Sequence, residues 1–554
     1  MTNDANADTH AGILRAASGD ELAAALAAAE PREARPLGPL IERLAALGSL
    51  GLRGVRSGGR PIGTAALAAT FVAGIAYDSR RVRPGSVFVA VTGAHADGHD
   101  FVEAAGRAGA VAAIVERPFP EDPIPQIVVG RSLRALATAA AWWYGDPSRS
   151  LPVVGITGTD GKTTTSLLAA AALGAAGLRT GLVGTVETHL AGLRVANEAH
   201  VTTPEAPELQ GLLRAMVDGG DAAAVIETTS HALALDRVAE VAYDAAIFTN
   251  LSHEHLDLHG SFEAYRAAKL SLFERLAERT PQLRPRTGIV NRDDPAAALF
   301  EAVTREAGAR LVTYGSDPSA DVRATRVTED QRGLQVHLAT PRGEADLALR
   351  LAGRFNVLNA LAVIALGEAW ELDPLAIRAG LETLPGVPGR MERVDVGQPF
   401  GAIVDYAHSP ASLATVLDLL APVAAARGGE LIVVFGSAGE RDVEKRRIMG
   451  RIAGERCRLV VVTDEDPRGE DGDAILEEIA RGAEDAGRRR DRDLFLIGDR
   501  AAAIATAVER ARPGDVVLFA GKGHERAIIG PDAPRPWDER AAVVAALALL
   551  GYRA

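Results

Sequence analysis

Residues 155–165 read Gly-Ile-Thr-Gly-Thr-Asp-Gly-Lys-Thr-Thr-Thr. A glycine-rich turn ending in Lys-Thr suits a nucleotide triphosphate. Its backbone N–H groups turn onto phosphate oxygens, and a following helix adds its N-terminal dipole. Lys162 then reaches the β- and γ-phosphates, and the Thr163 hydroxyl ligates Mg²⁺. The spacing departs from the usual P-loop: the leading glycine is expected where Ile156 stands, and the glycines fall at Gly155 and Gly158.

Further along, Glu227 opens Glu-Thr-Thr-Ser-His directly after the apolar run Ala-Val-Ile. A carboxylate at the carboxyl end of a central strand suits a Mg²⁺ ligand; as an ordinary helix N-terminal acid it would face a helix dipole. Between Asn250 and Gly260 stand His253, Glu254, His255, Asp257 and His259. Dense His and acid residues point to metal or acid–base work. Magnesium prefers hard oxygen, so at most one of these histidines is expected to be a ligand. Lys269 lies on a predicted helix and, taken alone, reads as a solvated lysine. Asp464–Asp471 and Gly521–Glu525 each follow a predicted strand. They read as turns or, together, as a clamp for a zwitterion, with Arg468 for a carboxylate and the acids for an amine.

The elements that must position these groups alternate between strand and helix. Leu151–Val154 reads as a buried strand before the loop, and Ser166–Leu173 as a helix after it. Strands are also predicted at Ala223–Ile226, Ala245–Phe248 and Gly288–Val290, which implies a largely parallel sheet covered by helices. Ahead of them, Leu40–Leu44 and Phe101–Ala108 read as helical. Strand-like runs surround Asp78-Ser79-Arg80 and recur at Val111–Val115 and Ile127–Val129. Behind them, Ile403–Val404, Leu431–Phe435, Leu459–Val462, Leu494–Ile497 and Val516–Phe519 have the rhythm of a doubly wound fold, whose ligands sit at strand carboxyl ends. The fold class is therefore α/β in three domains: a small N-terminal domain over 36–150, a central P-loop domain over 151–388, and a Rossmann-like domain over 389–554. Residues 1–35, rich in Ala, Glu and Asp, are expected to be a flexible extension, with a loose helix near Glu21–Ala29.

The chain has 554 residues, a net charge of −13 and one cysteine, Cys457. That length accommodates about three domains. The acidic balance, with no basic run interleaved with aromatics, argues against a nucleic-acid partner. One cysteine excludes an internal disulfide and a cysteine-based metal site. No apolar run reaches membrane-spanning length and the N-terminus lacks a signal-peptide pattern, so a cytoplasmic protein without a membrane partner is expected.

Gly158-Thr159-Asp160-Gly161-Lys162-Thr163 resembles the nucleotide loop of the ATP-dependent Mur ligases, where Asn is common at the position of Asp160 and the glycine spacing seen here is normal. Matches follow in order: Asp78-Ser79-Arg80, the Gly93–Gly98 loop, Thr202-Thr203-Pro204, Glu227–His231, Asn250–Gly260, Lys269, Asn291–Asp294, Gly353–Asn359, Gly389–Glu392, Asp405–Pro410, Gly439–Asp442, Asp466–Arg468 and Gly521–Glu525. The likeness runs from about residue 36 to the end. It is nearest to the branch that adds a diamino acid to UDP-N-acetylmuramoyl-L-Ala-D-Glu in peptidoglycan synthesis.

That resemblance implies roles. Ser79, Arg80 and His95 hold the UDP end; Thr202, Thr203, Thr229, Ser230 and Arg237 contact the muramoyl-dipeptide. Gly158, Thr159, Asp160, Gly161, Lys162, Thr163 and Thr164 bind ATP with Asn356, Asn359, Arg390 and Asp405. Thr163, Glu227, His255 and Lys269 serve Mg²⁺, with Lys269 as a carbamate (N6-carboxylysine) formed from CO₂. Lys162, Glu227, His255 and Lys269 are the implied catalytic set. Arg441, Glu465, Asp466, Arg468, Gly521 and Glu525 take the diamino acid. A single chain is expected to act alone.

The diaminopimelate enzymes usually read Asp-Asn-Pro-Arg where this chain reads Glu465-Asp466-Pro467-Arg468. Arg468 favours a distal carboxylate, hence meso-diaminopimelate. Asp466 in place of Asn suits a plain distal amine, as in lysine or ornithine. Leu235 also stands where Gln is frequent. Two further readings remain open here. Folylpolyglutamate synthase shares the loop and the lysine but lacks a UDP-binding domain ahead of them, and about 150 residues precede this loop. A P-loop switch or kinase would bind nucleotide without needing Lys269 or the acid–Arg cluster.

Overall fold

The computed structural model describes residues 14–93, 96–119, 124–197, 201–252, 256–277, 283–330 and 333–553. Among the described residues, three large sheets of six, twelve and six strands follow one another along the chain, beside two two-stranded pairs, Arg35–Pro36 with Phe71–Val72 and Ala527–Ile529 with Pro534–Pro536.

The first sheet has the strand order Arg60–Ile62, Leu52–Ser57, Gln126–Val129, Ala112–Val115, Ser86–Val89, Gly74–Ala76. Its last four members are parallel. Helix Ser132–Tyr144 covers it, burying Leu136, Ala139, Trp142 and Trp143. The short runs expected around Asp78 are present, with Ser79–Arg81 forming a single tight turn between strands.

In the central sheet, Thr180–Val183, Ala223–Glu227, Val153–Thr157, Ala245–Phe248, Thr287–Asn291 and Arg310–Gly315 lie side by side, all parallel. Val153–Thr157 is buried at every position, as a central parallel strand with helices on both faces must be. One face is covered by Lys162–Ala175, Phe355–Ala369 and Pro374–Thr383. The other is covered by Ala206–Asp218, Phe262–Glu274 and Ala297–Glu306.

The strict strand–helix alternation expected as far as residue 388 breaks at both edges. Glu187–Leu190 and Leu193–Ala196 form a hairpin on one side. Val322–Asp330, Gly333–Thr340 and Gly343–Leu349 form an antiparallel meander on the other. Buried Leu334, Val336 and Leu338 alternate with more exposed neighbours, the period-2 pattern of a half-covered sheet.

Residues 14–29 are not a loose extension. Arg15–Ala16 pairs in parallel with Leu193–Arg194 at the sheet edge. Helix Gly19–Ala29 opens with a Ser18/Glu21 capping box. Its Leu22, Ala25, Leu26 and Ala29 join the central core beside helix Ala206–Asp218. That spacing is one helical stripe. Burying it contributes roughly 2–4 kcal/mol, so deletion through Glu30 is expected to lower the thermal midpoint by several degrees; calorimetry of the truncated chain checks this.

The third sheet runs Glu392–Arg393, Gly401–Asp405, Val516–Ala520, Leu431–Phe435, Leu459–Val462, Leu494–Leu496, all parallel except the first. Helices Pro410–Ala426, Glu444–Arg456 and Gly472–Asp485 pack on one face, Arg500–Glu509 and Glu539–Leu549 on the other. This is the expected doubly wound arrangement. Its strands end at Asp405, Phe435, Val462 and Ala520, where the polar motifs begin. Among the described residues, no helix is long and apolar enough to cross a membrane.

Candidate active site

Strand Val153–Thr157 leads into the glycine loop, and helix Lys162–Ala175 leaves it. Two glycines are sterically required. A Cβ on Gly158, whose φ is +151°, would lie 1.8 Å from Thr249 Oγ1; one on Gly161, at φ +83°, would lie 2.5 Å from Asn359 Oδ1. The loop is thus a cradle that a side chain would fill, as close approach of phosphate to backbone demands. Asn250 braces it: Oδ1 accepts from the Asp160 N–H at 2.9 Å and Nδ2 donates to the Asp160 carbonyl at 3.1 Å.

Two ammonium groups converge on one carbonyl. Lys162 Nζ donates to Gly158 O at 3.0 Å and to Thr159 O at 2.8 Å. Lys269 Nζ donates to the same Gly158 O at 2.6 Å. Lys269 is 1% exposed and lies 4.4 Å from the Tyr265 ring centroid. The solvated reading of Lys269 is therefore wrong: its helix points it inward, under the loop.

Glu227 ends strand Ala223–Glu227, next to the loop strand. Oε2 accepts from Thr163 Oγ1 at 3.0 Å and Thr185 Oγ1 at 2.8 Å. Oε1 accepts from the Thr185 N–H at 2.9 Å and Ser166 Oγ at 3.2 Å. A hydroxyl and a carboxylate in direct contact form a hard-oxygen pair that fits Mg²⁺. Among the described residues, no cluster of three or more His, Cys, Asp or Glu side chains is assembled for a metal. His255 lies outside the described residues, as does His95.

The threonines assigned to the dipeptide lie near Glu227, joined to it through Thr185 and through its backbone carbonyl. Thr202 Oγ1 is 3.0 Å from Thr185 Oγ1, Thr203 Oγ1 donates to the Glu227 carbonyl at 2.5 Å, and Thr203 and Thr229 hydroxyls are 3.3 Å apart. Arg237 donates to Thr203 O at 3.0 Å and pairs with Glu205 at 2.5 Å. The Ser230 hydroxyl is buried without a protein partner. Ser79 and Arg80 sit apart, on the first domain. Arg80 bonds the Asp78 carboxylate at 2.7 Å and holds its pKa down to about 2. The first domain docks on the central one through Arg131–Asp236 at 2.5 Å and Tyr77 Oη to Glu208 at 3.1 Å.

On the far side of the loop, Asn359 accepts from Thr165 Oγ1 at 3.2 Å and donates to Asn356 Oδ1 at 2.9 Å. Thr164 is buried on the same helix, Lys162–Ala175. Asp405 accepts from the N–H groups of Met391 at 2.7 Å and Ala407 at 2.8 Å. Burial raises its pKa, Arg390 opposes that rise, and nearby Asp160 adds to it. Arg390 stacks 4.5 Å from the centroid of the Tyr406 ring.

The third domain's motifs converge at strand ends. Lys522, fully buried, donates to Asp466 Oδ1 at 2.8 Å and Glu525 Oε2 at 2.5 Å. Asp466 also accepts the Ile529 N–H at 2.8 Å. Tyr406 Oη donates to Glu525 Oε1 at 3.3 Å. A Cβ on Gly521 would lie 3.0 Å from Glu465 Oε2. Arg468, at φ +54°, has a buried Nε without a protein partner. Arg441 is exposed on the loop after Leu431–Phe435. So Asp466 does not stand as a free acid: its charge is opposed by Lys522. Lys522, Thr185, Ser166, Tyr265 and Tyr406 escaped the sequence reading; for Lys522 the signal was in view, inside Gly521–Glu525.

Glu465 is buried, and its Oε2 has no hydrogen-bond partner among the described residues. Burial pushes its pKa up from 4.5. Its native state then binds a proton that the unfolded state releases, so stability falls as pH rises above 4.5 towards the folded value. Glu465→Gln is expected to flatten that slope, by at most about 1.4 kcal/mol per pH unit; urea unfolding between pH 5 and 8 measures it.

A P-loop domain with one α/β domain docked on it through Arg131–Asp236 and another following it in the chain is the layout of an enzyme that spends a nucleotide to join two other substrates. Residues 156–367 match the Mur ligase middle domain, 389–523 the Mur ligase glutamate ligase domain, and 71–143 the Mur ligase family catalytic domain. UDP-N-acetylmuramyl-tripeptide synthetase of Roseiflexus sp. (strain RS-1) is 48% identical over 87% of this chain and 95% of its own length. The UDP-N-acetylmuramoyl-L-alanyl-D-glutamate–2,6-diaminopimelate ligase of Bacillus licheniformis is 42% identical over 82% of this chain and 90% of its own. A solved structure of a ligase of that same description superposes with a TM-score of 0.62 at 28% identity, covering 89% of this chain and 98% of the other. The chain belongs to the Mur ligase family.

Proposed function

We infer that the protein is an ATP-dependent amide ligase that adds a diamino acid to UDP-N-acetylmuramoyl-L-Ala-D-Glu. The observation that carries this is the convergence of Lys162 and Lys269 on Gly158 O, with Glu227 beside Thr163, flanked by one domain for an acyl substrate and one for an amine.

A carboxylate is a poor acylating agent. Attack of the glutamyl carboxylate oxygen on the γ-phosphorus of ATP gives an acyl phosphate and ADP. The Lys162 ammonium and the loop N–H groups stabilise the charge that develops on the transferred group. Mg²⁺, when bound, neutralises phosphate charge, and Thr163 and Glu227 would hold it, together with His255 and a carbamate on Lys269. Lys269 is buried beneath the loop, 2.6 Å from Gly158 O, where a carbamate on it would face the phosphates. The diamino acid's amine then attacks the acyl carbon, the C–O bond breaks and phosphate leaves. Thr202, Thr203, Thr229, Ser230 and Arg237 position the dipeptide, Ser79, Arg80 and His95 the UDP end, and Asn356, Asn359, Arg390 and Asp405 the nucleotide.

Arg468, with its unpartnered buried Nε, favours a distal carboxylate and hence meso-diaminopimelate. A second reading, lysine or ornithine, is favoured by the two carboxylates, Asp466 and Glu525, that share Lys522. Phosphate release is measured with UDP-N-acetylmuramoyl-L-Ala-D-Glu, ATP, Mg²⁺ and each diamino acid in turn. Release that requires both the dipeptide and diaminopimelate is expected. Release with lysine or ornithine alone selects the second reading, and none with any diamino acid sinks the ligase assignment.

A further inference from the structure

We propose that Arg500, clamped by Glu539 and Trp537, is a positioning residue for the incoming amino acid, an inference that rests on the ligase reading above. The motifs Asp464–Arg468 and Gly521–Glu525 follow strands Leu459–Val462 and Val516–Ala520. These strands are not neighbours, because Leu431–Phe435 lies between them. Arg500 joins their ends directly. Nη1 donates to Asp464 O at 3.1 Å and Nη2 to Ala520 O at 2.7 Å. Each carbonyl belongs to the residue just before one named for the amino acid: Glu465 follows Asp464, and Gly521 follows Ala520.

The guanidinium is itself fixed. Nε donates to Glu539 Oε2 at 2.8 Å and Nη2 to Glu539 Oε1 at 2.7 Å. Trp537 Nε1 donates to Glu539 Oε2 at 2.7 Å. Both charged side chains are 0% exposed. A buried ion pair is by itself weak evidence of stabilisation, since apolar groups of equal volume often serve as well. A planar fork supplies what apolar groups cannot, which is direction on two separate carbonyls at once. The gap it sets is narrow: Gly521 faces Glu465 Oε2 closely enough that a Cβ would lie 3.0 Å away. The positive charge also acts on Glu465. Loosening the clamp moves both walls of the amine pocket and leaves the nucleotide loop, on another domain, in place.

The test uses the full chain with steady-state phosphate release. Glu539→Gln keeps the shape and removes the charge; Trp537→Phe leaves the ion pair and removes one donor; Arg500→Lys keeps the charge and loses the fork. Glu539→Gln and Arg500→Lys are expected to raise the KM for the diamino acid about fivefold or more, with KM for ATP and for the UDP-dipeptide within about twofold. Trp537→Phe moves the same constant less, and remains informative if Glu539→Gln fails to fold. Folded variants with an unchanged diamino-acid KM, or with all three KM values rising together, overturn the proposal. Wild-type protein that releases no phosphate with any diamino acid overturns instead the ligase reading beneath it.

Discussion

Lys162→Ala is expected to lower kcat by about a thousandfold or more while the protein stays folded. The Lys162 ammonium is part-buried and bonds the loop carbonyls Gly158 O at 3.0 Å and Thr159 O at 2.8 Å. Its removal leaves the strand, the glycine cradle and the helix intact. What is lost is a cation aimed at the phosphates, whose charge grows as the γ-phosphoryl group transfers. Binding of the UDP-dipeptide, whose proposed contacts lie around Glu227 and on the first domain, should change little. Single-turnover phosphate release set beside calorimetric binding of the UDP-dipeptide separates the two effects. A variant within tenfold of wild type would remove Lys162 from the reaction.

Lys269→Ala is expected to cost about a hundredfold or more in kcat, with partial recovery in millimolar acetate or formate. The side chain is 1% exposed and ends 2.6 Å from Gly158 O. Alanine leaves a small polar gap beneath the loop, next to the Tyr265 ring. A free carboxylate that enters the gap stands in for the carbamate oxygens. Recovery by carboxylates but not by primary amines supports the carbamate; recovery by amines alone assigns the ammonium itself. An unaffected variant removes Lys269 from the site. The same chemistry predicts a mass increase on Lys269 that acid treatment removes.

Much of this was legible in the chain because local rules and tertiary demands agree. Leu151–Val154 is an apolar run before the glycine loop, and the buried parallel strand there covers Val153–Thr157. Gly158 and Gly161 mark the loop, and a Cβ at either collides. Glu227 after Ala-Val-Ile stands at a strand end, beside Thr163. Where reading failed, the determinants are long-range. Lys269 looks solvated because its helix carries polar neighbours; only the packing of Phe262–Glu274 under the loop turns it inward. The edge strand Arg15–Ala16 spans two residues and has no pattern of its own, since Leu193–Arg194 supplies the template. The helix behind it did carry a signal, Leu22, Ala25, Leu26 and Ala29, among so many alanines that the stripe was diluted. Asp466 looks like an acid open to an amine, and its opposing charge, Lys522, lies 56 residues further along.

The central claim is that a dipeptide carboxylate is activated by phosphoryl transfer and then captured by an amine. Oxygen-18 in the glutamyl carboxylate of UDP-N-acetylmuramoyl-L-Ala-D-Glu tests it most directly. Attack on the γ-phosphorus places a labelled oxygen in the acyl phosphate bridge, and cleavage of the C–O bond by the amine leaves that oxygen on phosphate. The account predicts one labelled oxygen per phosphate released, in equal number with the new amide bond and dependent on the diamino acid. Phosphate released without label, or released at the same rate in the absence of the dipeptide, would contradict it.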